Sequence, residues 1–235
     1  MYKGVIFDFN GTLFEDTYIQ ADAWIEVIRR HFHREMDISE FFSSFHGRGN
    51  VDILKYVNSL DPSKQFDISI TDEKEQVYRR ICRDHPKRTV FLPGVEETFS
   101  ALKENRIPIA IATACEIKNL DFLYETFRLE RWFSRDRIAY DDRTYPLKPA
   151  PDVYLRAAAM LGLDPADCVV CEDSKSGLLA AKNAGAGRII ARRSIQQNED
   201  MYKDLEIYAF IDDFHGFYPR YLQTEKGTRH ICERV

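Results

Sequence analysis

The chain has no basic block and no apolar run approaching the ~20 residues that span a bilayer. Its 33 Lys and Arg residues stand against 38 Asp and Glu, a formal charge of −5. A mildly acidic chain of this kind is a poor binder of nucleic acid through phosphate neutralisation, and neither nucleic acid nor a membrane is an expected partner. Its opening stretch, MYKGVIFDFNGTLF, is interrupted by Asp8 and Asn10 and offers no small-residue cleavage site, so it does not read as a signal peptide. Cysteine is scarce and odd in number, five in all, without framework spacing. That excludes a disulfide scaffold and suits a reducing cytosol, so a cytoplasmic location is expected. Cys168 and Cys171 form a CxxC pair, but in the strand-like run CVVCED residues three apart point to opposite faces. No second pair completes a zinc site, and the structural reading of this pair stands. Only two tryptophans occur, Trp24 and Trp132, and both read as packing residues. There is no internal repeat and no low-complexity tract. What is present is 44% apolar and 13% aromatic residues in 235, enough to bury a core and exclude disorder.

Short apolar runs recur at 4–8, 107–113, 168–171, 188–191 and 208–211. They lack polar alternation and are bounded by Pro, Gly or Asp, as buried parallel strands are. Helical patterns lie between them at 95–105, 151–161 and 176–183. Strands alternating with helices predict an α/β fold, a doubly wound, Rossmann-like parallel sheet. Residues 16–92 break the rhythm, with helical stretches at 17–32, 38–45, 51–60 and 71–83 and no strand. The expected organisation is an α/β core of residues 1–15 and 93–235 and an inserted all-helical domain at 16–92. The final stretch, 223–235, is polar and reads as a loosely held tail.

Ligands of open parallel sheets bind beyond the carboxyl ends of the strands. Those ends here carry Asp8-Phe9-Asn10-Gly11-Thr12, Thr113-Ala114-Cys115, and Glu172-Asp173-Ser174, while Lys148 opens a helix before Pro149. Asp8, Glu172 and Asp173 make a hard anionic oxygen site suited to Mg²⁺. The Lys148 ammonium, the Thr113 hydroxyl and the backbone N–H at Ala114 can hold phosphoryl oxygens. With charge neutralised, Asp8 can attack phosphorus and form an aspartyl phosphate. Each motif alone is ordinary turn or cap chemistry; their joint order is the signal.

These motifs, DFNGTLFED, the Thr113 strand end, LKPAPDVYLRAA and EDSKSGLLAAKNAGA, resemble those of the haloacid-dehalogenase-like (HAD) superfamily. The resemblance covers residues 2–214 and falls in the subgroup with a helical cap after the first motif, near β-phosphoglucomutase and phosphoglycolate phosphatase. It implies a Mg²⁺-dependent phosphatase of a small phosphorylated metabolite, with Asp8 as nucleophile, Thr113 and Lys148 on phosphate, and Glu172, Asp173 and the Asn10 backbone carbonyl on the metal. It also implies a cap that closes over the site and selects the substrate. A phosphomutase and a catalytically impaired phosphate-ligand-binding protein are the alternatives. The metal-free dehalogenase branch is disfavoured, because the Glu172-Asp173 pair would repel a carboxylate substrate.

One position departs from the pattern. The family usually places Asp two residues after the nucleophile, where it protonates the leaving oxygen and then activates water. Here the residue is Asn10, and an amide cannot exchange a proton near neutral pH. General acid–base help is worth ~10²–10⁴-fold, most for alkyl leaving groups. Four readings stay open: specialisation for leaving groups that need no acid, a proton from another residue, an introduced substitution that traps substrate, or binding without turnover. Asn10 precedes Gly11, a pair prone to deamidation.

In the helical insertion, Arg48 and His46 lie in the glycine-broken run FHGRGN, and Gln20 lies on the first helix. These are the candidate substrate contacts. Arg48 suits bidentate recognition of a second phosphate or carboxylate. The pairs Arg29-Arg30 and Arg192-Arg193 read as solvated faces. Nothing in the sequence decides the oligomeric state.

Overall fold

The computed structural model describes residues 2–45, 50–60, 63, 67–194, 202–203 and 205–223. Six parallel strands form one sheet: β1 (Gly4–Phe7), β2 (Ile109–Glu116), β3 (Ile138–Asp141), β4 (Cys168–Glu172), β5 (Arg188–Arg192) and β6 (Ala209–Ile211), in the order β3-β2-β1-β4-β5-β6. The first strand is thus central, flanked by β2 and β4. Helices α5 (Val95–Glu104), α6 (Ile117–Thr126), α7 (Asp152–Leu161), α8 (Lys175–Asn183) and α9 (Phe217–Tyr221) complete this layer system.

Alternate residues of β1 serve opposite faces, as strand geometry requires. Ile6 joins Ala110, Ala112 and Val170 in a core with Tyr154 and Ala157 of α7 and Leu178 of α8. Phe7 turns the other way, its ring 5.5 Å from Phe99 of α5 and 6.0 Å from Phe214. Both faces of β1 are covered, so the strand reads as an unbroken apolar run and every residue of it is buried. Cys168 shares the Ile6 face with Val170, which explains why it and Cys171, three residues on, behave as small core residues.

The chain divides into two compact units: residues up to Glu15 with those from Phe91 onward, and Asp16–Val90. The second contains α1 (Thr17–Phe32), α2 (Ile38–Phe45), α3 (Asn50–Leu60) and α4 (Ser69–Asp84), and no strand among its described residues. Its core gathers Trp24, Ile28, Phe32, Phe41, Phe42, Phe45, Ile53 and Val57. Phe45 packs edge-on against Tyr56 at 4.8 Å. The indole of Trp24 donates to Asn50 Oδ1 at 3.2 Å.

Three features differ from the sequence pattern. The strand expected at 107–113 runs on to Glu116, with a register shift against β3 between Ala112 and Glu116. The edge strand β3 was not expected, since its four residues IAYD carry too little periodicity to stand out. Helices α6 and α9 also have no counterpart in the expected pattern. No helix among the described residues is long and apolar enough to cross a membrane.

Candidate active site

The hydrogen-bond ladder of β1 extends one residue past the strand. The Asp8 N–H donates to the Cys171 carbonyl at 2.9 Å, so the Asp8 carboxylate emerges between β2 and β4 at their carboxyl ends. There the chain folds into a tight turn. Phe9 O accepts from Leu13 N at 2.9 Å and Phe14 N at 3.2 Å, and Gly11 sits at φ +80°. A Cβ at Gly11 would overlap the Asp173 carboxylate, so only glycine admits this approach. Thr12, fully buried, donates from Oγ1 to Asp173 Oδ1 at 3.2 Å and ties the turn to the end of β4.

Lys148 reaches into the same place. Its Nζ lies 2.6 Å from Asp8 Oδ1, 2.7 Å from Glu172 Oε2 and 3.2 Å from the Ala112 carbonyl. Glu172 is held on every side. The Tyr154 hydroxyl also donates to its Oε2, and Ser174 donates to its Oε1 from Oγ at 2.8 Å and from N at 3.0 Å. The Tyr154 ring stacks beside the Lys148 ammonium, 5.0 Å from Nζ to the ring centre. Ser174 caps α8 by accepting from Gly177 N at 3.1 Å, and a Cβ at Gly177 would overlap the Glu172 carboxyl.

The electrostatics follow from burial and crowding. Desolvation, then the neighbouring Glu172 charge, push Asp8 up to about 7, although Lys148 opposes them. Burial, with Glu172 and Asp8 beside it, holds Asp173 well above the usual carboxylate range. Glu172 is lowered: burial works to raise it, but the Lys148 ammonium and its hydrogen bonds prevail. Lys148 is raised in turn, since the pull of Asp8 and Glu172 outweighs its desolvation. One cation among two buried carboxylates and the half-buried Asp173 is a site short of positive charge.

The residue set fits a divalent cation. Asp8, Glu172 and Asp173 each offer an oxygen, all within 4.8 Å of one another. Asp8 Oδ2 is buried and has no hydrogen-bond partner among the described residues. Hard carboxylate oxygens are the donors Mg²⁺ prefers.

Asp8, Lys148, Glu172 and Asp173 therefore meet as a group. Thr113 is buried in β2 rather than at a strand end, one residue past the carbonyl that Lys148 grips, and its Oγ1 accepts from Cys115 N at 3.2 Å. Ala114 is exposed, and Asn10 is half-buried. Gln20 lies in the helical unit, donating to Asp16 Oδ2 at 2.9 Å and accepting from the buried Lys74. His46 and Arg48 lie outside the described residues, as does the tail beyond Gln223. Arg192 is a correction. It is buried rather than solvated, donating to Gly11 O at 3.0 Å and pairing with Glu15. A doubled arginine at a strand end carries no signal of which side chain turns inward. Tyr154, Ser174 and Thr12 were also missed, and only their place beside the acidic motifs hinted at them.

The family model for haloacid dehalogenase-like hydrolases matches residues 2–185. The chain belongs to that family. Among HAD-like relatives, it is 29% identical over 191 residues to fructose-1-phosphate phosphatase YqaB of Escherichia coli, covering 81% of this chain and 97% of that protein. A HAD hydrolase of family IA, variant 3, from Entamoeba histolytica superposes with a TM-score of 0.82 at 31% identity, covering 91% and 94% of the two chains. A putative β-phosphoglucomutase from Thermotoga maritima gives 0.69 at 25% identity, covering 89% and 94%. The HAD-like assignment accounts for a sheet whose central strand delivers a carboxylate to a lysine and an acidic pair.

Proposed function

We propose that this HAD-like hydrolase is a Mg²⁺-dependent phosphatase of a small phosphorylated sugar, working through an aspartyl phosphate on Asp8. One observation carries the reading: Asp8, clustered with Glu172 and Asp173, has one oxygen fixed by Lys148 and the other buried with no hydrogen-bond partner among the described residues. The likeness to a fructose-1-phosphate phosphatase supports the substrate class.

Asp8, Asp173 and the Asn10 carbonyl would hold the cation, which when bound cancels the repulsion between carboxylate and phosphate. Glu172 adds its charge to the cluster, while its oxygens are engaged with Lys148, Tyr154 and Ser174. An Asp8 oxygen attacks phosphorus, the bond from phosphorus to the sugar oxygen breaks, and the leaving oxygen takes its proton from solvent water. Water then attacks the aspartyl phosphate, releasing inorganic phosphate and restoring Asp8. Lys148 with the Thr113 hydroxyl and the Ala114 N–H would grip the transferring oxygens. Lys148, its pKa raised, stays an ammonium and supplies charge rather than a proton.

Asn10 can orient the leaving oxygen but cannot protonate it. Turnover of alkyl phosphates is therefore slow, by ~10²–10⁴-fold against an acid at that place. The same residue favours a second reading, a protein that binds phosphorylated ligands without hydrolysing them. The test measures phosphate release from fructose 1-phosphate and acetyl phosphate, with Mg²⁺ or EDTA, for the wild type, Asn10→Asp and Asp8→Asn. Mass spectrometry of the Asn10 peptide excludes a deamidated fraction. Asp8→Asn is expected to abolish release, and Asn10→Asp to accelerate the sugar phosphate far more than acetyl phosphate. Activity in Asp8→Asn equal to the wild type would sink the mechanism. Metal-dependent ligand binding without release by the wild type or Asn10→Asp would favour the second reading.

A further inference from the structure

Arg192, the last residue of β5, is 6% exposed. Buried arginines are uncommon without a paired acceptor, and this one has two. One nitrogen, Nη1, donates to the Gly11 carbonyl at 3.0 Å and pairs with Glu15. Gly11 is the residue whose backbone abuts the Asp173 carboxylate, and Glu15 is the last core residue before the chain enters the helical unit. The turn between them starts three residues after Asp8. It is held at Phe9 O from within, at Asp173 through Thr12, and at Gly11 O by Arg192. The Arg192 contact ties the turn to β5.

We propose that Arg192 is a positioning residue for the phosphoryl-transfer site. It holds the Gly11 carbonyl and Glu15 so that the turn keeps Asp8 and the Asn10 carbonyl in one arrangement with Asp173, at the end of β4, toward a divalent cation. This rests on the function proposed above. The guanidinium touches neither substrate nor reacting atoms; it acts through the turn. It also offsets Glu15, which is among the carboxylates whose charge bears on Asp173. Partners that orient metal-binding groups typically govern metal affinity, and their loss costs about 10–100-fold.

The experiment is calorimetric titration of Mg²⁺ into the full-length wild type, Arg192→Gln and Arg192→Lys, with amide hydrogen exchange at residues 11–15 in EDTA. In Arg192→Gln the Mg²⁺ dissociation constant should rise about 10–100-fold. The amides of the turn should exchange faster while those of β4 keep their protection. Arg192→Lys keeps the charge but not the reach, and should fall between the two. Phosphate release should need more Mg²⁺ for half-saturation, with kcat at saturating Mg²⁺ little changed, a split that a general loss of stability would not produce. A folded Arg192→Gln with wild-type Mg²⁺ affinity overturns the proposal. Should that variant not fold, the same titration of Arg192→Lys decides. Asp8→Asn separates the two levels: if it abolishes turnover while Arg192→Gln binds Mg²⁺ normally, only the role of Arg192 falls; if it leaves turnover intact, the underlying function falls with it.

Discussion

Replacing Lys148 with methionine removes the one ammonium among buried carboxylates while roughly keeping the stem's volume. Its Nζ sits 2.6 Å from Asp8 Oδ1 and 2.7 Å from Glu172 Oε2, with the three side chains 6%, 8% and 1% exposed. Deleting one partner of such a buried pair costs about 3–5 kcal/mol, because the charge left behind has no compensation. For a chain of this length each kcal/mol shifts Tm by about 2–4 °C, so the loss should be about 6–20 °C. The loss also depends on pH, and its sign follows from the shifts. The Lys148 ammonium, helped by hydrogen bonds from Tyr154 and Ser174, lowers Glu172 against burial, and Asp8 already stands at about 7 despite Lys148. In the variant both folded-state pKa values rise, that of Asp8 further above its unfolded value and that of Glu172 from its lowered one. The Asp8 contribution is then complete only below the unfolded carboxylate pKa of ~4 and disappears as pH rises through its folded value, while the stability that the lowered Glu172 gives above that pKa shrinks. Thermal unfolding in EDTA should show a small gap between variant and wild type near pH 4.5 and the full gap at pH 8. Lys148 itself titrates above this range and does not blur the comparison. A gap that stays constant with pH, or equal stability at pH 8, would refute the electrostatic account of the site.

Asp8→Asn removes a buried carboxylate raised from 3.8 to about 7 by burial and Glu172. The wild type sheds stability between those pH values as Asp8 ionises, so in EDTA the Tm of the variant relative to the wild type should climb from pH 4 to pH 8; parallel curves would contradict this. Tyr154→Phe keeps the ring beside Lys148 but takes the phenol from Glu172 Oε2, a bond to a charged group worth about 1.5–3 kcal/mol, and urea unfolding at pH 8 should show that loss. Gly177→Ala places a methyl into the Glu172 carboxyl, which four hydrogen-bonding groups prevent from moving aside, and overpacking of this kind should cost about 1–3 kcal/mol along with phosphate release.

Much of this site was legible because its parts sit at strand ends, where local sequence has few alternatives. Asp8, Lys148, Glu172 and Asp173 were picked out by residue type and by their position after an apolar run or before a helix, and they converge. The parts that escaped are those whose role depends on a distant partner. Tyr154 is one of several apolar-patterned residues on α7 until Glu172, 18 positions away, meets its hydroxyl. Arg192 looked like a surface charge until the Gly11 carbonyl, 181 positions away, turned out to receive it. The strand β3 was missed because a four-residue edge strand is recognised by its pairing with β2 rather than by its composition.

The amino-acid order by itself determined the alternation of buried strands and helices, the break into an all-helical stretch after the first strand, and the chemical inventory of carboxylates, hydroxyl, ammonium and amide. Each depends on periodicity or residue type over a few neighbouring positions. Tertiary structure alone decided that one oxygen of Asp8 is bound by Lys148 while the other is left open, that Glu172 is a held anchor, and that Asp8 is pushed to about 7. Those properties arise from desolvation and from charges brought within a few ångströms by a sheet whose neighbouring strands are far apart along the chain.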